Sequence, residues 1–267
     1  MMNGDDGRKA SIRSVERAAR ILKALGGGTA RLGVTELADQ LGLAKATVHG
    51  LLRTLEQQEF VERGPGSSKY RLGPALLQLG NAYLDTHELR ARSLMWADSL
   101  ASRAGEAVRV GIVNGENILI VHHVFRPDDS VQILEVGASI PWFASALGKA
   151  VVAYLDTPRR EALLASTFRP LTGGTITDPS RLREILVAVT RDGYALEDQE
   201  AIVGEAEIAS PVFDHRGVVA GAVGLVGPVE RLVHIGQAPE PLVSLVKETA
   251  RGLSRDMGAG RLASRGG

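Results

Sequence analysis

Three small groups of side chains in this chain have types and spacings that suit chemistry. In a helical segment over residues 44–58, Lys45, His49 and Arg53 fall one turn apart, with Ala46, Thr47 and Gly50 between them. Residues 40–55 contain no acid at all. A face of cations and small residues suits a polyanion whose edges must be approached closely. Glycine inside a helix costs about 1 kcal/mol relative to alanine, and close approach at Gly50 would explain it. Farther on, Lys69 and Arg71 are two residues apart in a β-prone run, so they share a face and can clamp phosphates. In EAEIASPVF, Glu205 and Glu207 also share one face of a strand. A carboxylate accepts hydrogen bonds from adjacent hydroxyls and repels an anion unless it is protonated or paired with a cation. A phosphate would need Lys149, Arg109, Arg126 or His122 to balance it.

Other chemistries find no support. With no cysteine, the chain has no thiol nucleophile, disulfide or Cys-ligated metal. There is no G-x-S-x-G elbow, Walker A loop or H-E-x-x-H pair. His122 and His123 are consecutive in a strand and point to opposite faces, a poor arrangement for one metal. Asp214 and His215 fall in a turn with no nucleophile fixed beside them. Glycines 221, 224 and 227 do not form G-x-G-x-x-G and read as a close-packed strand. We therefore expect no catalytic residue, metal or cofactor.

Two architectures must position these groups. SVERAARILKALGGG reads as a helix capped by Ser14, with Val15, Ala18, Ala19, Ile21, Leu22 and Leu25 as its apolar stripe. Thr35 can cap a short second helix through Leu41. Gly42 and Leu43 make a tight turn before the cationic helix, whose Val48, Leu51, Leu52 and Leu55 face inward. Two short helices across such a turn match a helix-turn-helix, whose second helix enters the major groove. Residues 60–63 and 69–72 flank a Gly-Pro-Gly-Ser-Ser turn as a β-hairpin wing. Pro74 opens a helix and another runs over 88–103. The period then changes: AVRVGIV, NILIVHHV and VQILEVG read as strands, followed by helices over 146–155 and 180–191 and strands over 205–213 and 218–226. The fold class is α+β.

Composition is that of an ordinary globular chain: 267 residues, 44% apolar and 23% charged, with 31 basic and 31 acidic residues. The balance is uneven. Residues 1–72 carry 12 Lys/Arg against 8 Asp/Glu, and the remainder carries 19 against 23. A basic head on an acidic body points the head toward a polyanion. The longest uncharged apolar stretch, 217–229, is 13 residues, whereas a spanning helix needs about 20. The first ten residues are polar. A cytoplasmic protein without a membrane partner is expected, with disordered segments at 1–10 and 258–267.

SVERAARILKAL, TELADQLGLAKATVHGLLRTLEQQEFVER and KYRLGPALLQLG, followed in order by ALGKA, GYALEDQE, IASPVFDHRG and VGLVGP, resemble the IclR family of bacterial transcription regulators. The resemblance implies a winged helix-turn-helix over 11–73, a linker helix over 74–89 and a GAF-like effector-binding domain over 90–257. It implies a homo-oligomer, dimer or tetramer, on double-stranded operator DNA. The DNA-contacting set is then Thr35, Lys45, Ala46, Thr47, His49, Gly50, Arg53, Lys69 and Arg71; Gly50 stands where the family commonly has Arg. The effector set is Glu207, at a position where members often have Cys, with Glu197, Ile140, Ala146, Leu147, Gly224 and Val226. YLDTHELRARSLMWADSLA, ILIVHHVFRPDDSVQILEVGA and GAVGLVGPVERL resemble the branch of the family that represses glycerol genes in actinobacteria. That branch implies glycerol or glycerol 3-phosphate as effector. A regulator sensing an aromatic or short-chain acid, an interaction module without ligand, and solvent-facing positions for both acids of the 205/207 pair remain open alternatives.

Overall fold

The computed structural model describes residues 12–27, 31–64, 66–128 and 130–260. The chain divides into two compact units, Met1–Leu84 and Asp85–Gly267.

In the first unit, α1 (Arg13–Gly26) starts with Ile12 at its cap, so Ser14 lies inside the first turn and does not cap it. Of the expected stripe, only Ile21 and Leu25 are buried, and Val15 is exposed. Helix α2 (Val34–Leu41) begins one residue before Thr35. Its entry is closed by the Gly33 N–H, which donates to Glu36 Oε2 at 2.6 Å. Gly42 adopts the left-handed conformation, φ 64°, and the N–H of Leu43 donates to the Ala38 carbonyl at 3.0 Å. That reversal aims α3 (Lys45–Gln57) back across α2. Ile21, Leu37, Val48 and Leu52 are fully buried together, each contributing about 1.5–3 kcal/mol through lost apolar surface. Strands β1 (Val61–Arg63) and β2 (Tyr70–Leu72) pair antiparallel, one residue shorter at each start than the pattern predicts. Helix α4 (Pro74–Asp85) buries none of its residues.

The second unit opens with α5 (Glu88–Ala104). Thus α4 ends four residues before the expected linker boundary at 89. The sheet comprises β3 (Ala107–Asn114), β4 (Asn117–Val124), β5 (Ser139–Pro141), β6 (Ala195–Asp198), β7 (Glu205–Phe213) and β8 (Val219–Pro228). Its order is β5-β4-β3-β8-β7-β6, with antiparallel neighbours throughout. Helix α6 (Ala146–Val152) covers one face, where Leu147 abuts Gly111; α7 (Thr157–Leu164) and α8 (Pro179–Asp192) complete that layer. A short helix α9 (Val229–Leu232) leads to α10 (Glu240–Asp256), which lies with α5 on the other face, Gly252 against Trp96.

Two expectations are corrected. Residues 131–137 form no strand: Val131 and Ile133 are exposed, while Gln132 and Glu135 bond inward to Arg126 and Arg109. The β4 edge is taken instead by β5, which pairs Ile118 with Ile140. Gly224 packs closely within the sheet, as its glycine-spaced strand leads one to expect: a Cβ there would lie 2.7 Å from the Ile208 carbonyl oxygen and 2.8 Å from Ala209 Cβ. Order extends past 257, because Gly258 bridges Asp214 and the Ala259 N–H donates to Ser254 O at 2.9 Å. The expected segments 1–10 and 261–267 lie outside the described residues. Among the described residues, no helix is long and apolar enough to cross a membrane.

Candidate functional site

Two places concentrate the chemistry, one in each unit. On α3, the burial of Val48, Leu52 and Leu55 turns Lys45, Ala46, His49, Gly50 and Arg53 to solvent, with Thr47 half-buried at the edge. Thr54 Oγ1 donates to the Gly50 carbonyl at 3.2 Å, holding the helix at the glycine. A Cβ at Gly50 would meet nothing within 4 Å, so nothing in this chain requires glycine there. Among the described residues, no hydrogen bond or ion pair engages the side chains of Lys45, His49 or Arg53.

The neighbouring cations differ. Lys69 Nζ lies 2.9 Å from Glu36 Oε1, and Arg71 Nη2 lies 2.6 Å from its cross-strand partner Glu62. The Gly33 N–H, and after it Lys69, hold the Glu36 carboxyl below its ordinary pKa. Lys69 and Arg71 flank buried Tyr70 and do share a face, but each already has an acid. Thr35 is exposed beside Glu36.

In the second unit Glu207 is buried, 1% exposed, and so is not solvent-facing. Its Oε2 accepts hydrogen bonds from Ser145 Oγ at 3.0 Å and from the Leu147 N–H at 3.1 Å, near the start of α6. Its Oε1 has no hydrogen-bond partner and lies 3.7 Å from Arg109 Nη1. Across the strand pair stands Glu197, also buried. Burial, reinforced by the charge of Glu207, pushes the Glu197 carboxyl up to about 8, against backbone hydrogen bonds from Ala201 and Glu200 and the charge of Lys149. Lys149 is fully buried and pairs with Glu200, whose pKa burial raises.

Arg109 joins this cluster to an opening. It rises from β3 opposite Gly224 and is 3% exposed. Glu135 grips it through both carboxylate oxygens, with Nη2 donating to Oε1 at 2.6 Å; Nη2 also donates to Glu205 Oε1 at 3.0 Å. Burial alone would lower its pKa, but Glu135, Glu207 and Glu205 override burial and hold it raised. Glu205 is less buried; burial raises its pKa and Arg109 opposes. Beside them is a cleft of about 440 Å³. Its polar floor is Arg109, Glu135, Glu205, His123 and Arg126, and its apolar rim includes Val131, Ile133, Ile202 and Val203. Burial keeps the His123 imidazole below its ordinary pKa, and its Nδ1 accepts the Glu135 N–H at 3.2 Å.

Of the residues named from sequence, Glu197, Glu207 and Leu147 come together around one buried carboxylate, and Val226 lines the cleft. Ala146 opens α6 and lies in the apolar core, with Ile140 packed against that core. The sequence reading missed Glu135 altogether and did not place Arg109. The signal for Arg109 was available: a cation inside the apolar strand AVRVGIV must find acids when the strand is buried.

Comparison with known proteins agrees with both halves. Residues 14–65 match the IclR helix-turn-helix domain and residues 81–255 the C-terminal domain of bacterial transcriptional regulator IclR. The chain is 48% identical over 251 residues, 94% of its length, to the glycerol operon regulatory protein of Streptomyces coelicolor, covering 98% of that relative. The same identity and coverage hold for the glycerol operon regulatory protein of Streptomyces griseus. Among solved structures, an IclR transcriptional regulator from Alicyclobacillus acidocaldarius superposes with TM-score 0.80 at 30% identity, covering 93% of this chain and 100% of that one.

Proposed function

The chain belongs to the IclR family of bacterial transcriptional regulators, and on that premise we propose that it is the repressor of a glycerol operon, released from or held on its operator by glycerol or glycerol 3-phosphate. It is a regulator and not an enzyme, as its relatives and structural neighbours are. The observation that carries the DNA-binding part is the contrast on the first unit. Lys45, His49 and Arg53 stand unpaired around an open glycine, while the wing cations are already matched with acids. Unpaired cations are what a phosphate backbone and guanine edges recruit, and a missing side chain at position 50 lets the helix sit deep in the major groove. Arg53 and His49 are the base-reading pair in this account. Thr35, Thr47, Lys69 and Arg71 set register on phosphates.

Two copies of the chain would present two α3 helices to half-sites about one DNA turn apart. The effector acts from the cleft beside Arg109 and Glu205. It can shift the balance between DNA-bound and free forms only by the difference in its affinity for them. The acid-rich floor favours a hydroxylated ligand over an aromatic or short-chain acid. DNase footprinting on DNA from upstream of the protein's own gene and of a glycerol operon tests the reading. A two-fold protected site that Arg53→Ala weakens, so that protection needs a higher protein concentration, is the expected result. Protection without symmetry, or unaffected by Arg53→Ala, would overturn it.

A further inference from the structure

The cleft carries more information than its position, because its charges are matched in a particular way. Arg109 is the one cation at the centre of the floor, and three carboxylates surround it: Glu135 through both oxygens, Glu205 at 3.0 Å and Glu207 at 3.7 Å. Arg126, the second cation of the lining, is bound by Asp128 and Ser130 and lies 3.9 Å from buried Glu106. Every cation of the floor is therefore spent, and the excess is acid. A phosphate entering here would meet the carboxylates of Glu135 and Glu205, each about a quarter exposed, while the Arg109 guanidinium they hold is only 4% exposed. Hydroxyls suffer no such penalty. Each can donate to a carboxylate oxygen of Glu135 or Glu205, which line the cleft. The rim of Val131, Ile133, Ile202 and Val203 offers apolar contact to carbon–hydrogen faces.

We infer that the carboxylate-saturated Arg109 is the specificity-determining residue of this cleft, which takes an uncharged polyol and rejects its phosphate ester. The inference rests on the reading of the cleft as the effector site and narrows it to one ligand class. Glu135 has a second duty. With Gln132 and the Gly137 N–H, which donates to the Ile120 carbonyl at 2.8 Å, it fastens the 131–137 segment, so the group that neutralises Arg109 also helps hold the wall of the cleft in place.

Removing one carboxylate should free Arg109 for an anion. A unit charge about 6 Å from a ligand phosphate, at an effective dielectric constant of about 20, is worth roughly a hundredfold in affinity, and partial exposure cuts that to about tenfold. The test is calorimetric titration of the full-length protein and of Glu205→Gln with glycerol, glycerol 3-phosphate and inorganic phosphate. The wild-type protein should bind glycerol at least about tenfold more tightly than glycerol 3-phosphate and ignore phosphate. In Glu205→Gln that ratio should move about tenfold toward the ester, and Glu135→Gln should move it the same way if Glu205→Gln does not fold. A wild-type preference for glycerol 3-phosphate overturns the inference even if neither variant folds, and so does an unmoved ratio in the folded variants. If the wild-type protein binds neither compound, the glycerol reading itself falls, and the inference with it.

Discussion

The α3 face and the Arg109 cleft both hold cations at their centres, and they treat them in opposite ways. Lys45, His49 and Arg53 are exposed and have no acid, so the charge of Lys45 and Arg53 is compensated only when an external polyanion arrives. Arg109 is buried and satisfied three times over from within the chain. A surface that recruits a polyanion gains by leaving charge unpaired, because counterion release then drives association. A cavity in the interior cannot leave charge unpaired, because desolvation would cost several kcal/mol. The first arrangement reads charge. The second, with its cation matched and acid in excess, would select hydroxyls on the reading proposed above.

Substitutions should separate the two regions, beginning with the largest effect. Arg109→Leu strands Glu207 and its neighbours and should cost about 3–5 kcal/mol of stability, read from urea unfolding. Lys45→Leu, on the open face, should stay within about 0.5 kcal/mol. Equal losses would mean that the two cations are not differently compensated. On DNA the order inverts: Arg53→Ala should cost roughly 1–3 kcal/mol in operator binding and spare non-specific binding. Arg71→Ala, already paired with Glu62, should cost less than about 1 kcal/mol and act on all sequences alike, as paired titrations with operator and random DNA would reveal. Gly50→Ala sharpens the contrast because its two effects have opposite signs. The methyl meets nothing, so the helix should gain about 0.5–1 kcal/mol in thermal unfolding while operator affinity falls.

A further contrast concerns protons. The Glu197 carboxyl titrates near 8 in the folded chain because burial and then Glu207 disfavour its charge, against about 4.5 when unfolded. The folded form therefore holds a proton that the unfolded form has released across that window. The stabilisation is complete below about 4.5 and is lost as pH rises through about 8. Glu197→Gln should flatten the fall in stability between pH 5 and 8, measured as urea midpoints. A parallel fall in the variant would place the titration elsewhere.

The first unit was largely legible because its signals are local. Val48, Leu52 and Leu55 keep a 3.6-residue period, and Gly42 marks the reversal before them. Its errors were also local: Ser14 and Thr35 have the right chemistry for caps, yet Ile12 and Gly33 occupy those places. The cleft was legible only in part, because its contacts join residues far apart in the chain. Arg109 meets Glu135 from a loop and Glu205 from a strand 96 residues on. The run 131–137 reads as β because of Val131, Ile133 and Leu134, but inward anchoring by Gln132 and Glu135 turns those apolar side chains outward. No spacing rule reaches such contacts. The buried pairing of Glu197 with Glu207, by contrast, follows from strand register once β6 and β7 are neighbours.

The most direct test of the division of labour is fluorescence anisotropy of labelled DNA from upstream of the protein's own gene, titrated with the full-length protein at several salt concentrations, with and without glycerol and glycerol 3-phosphate. The account predicts tight, salt-sensitive binding that glycerol changes and that glycerol 3-phosphate changes far less. Tight binding indifferent to both compounds would contradict it.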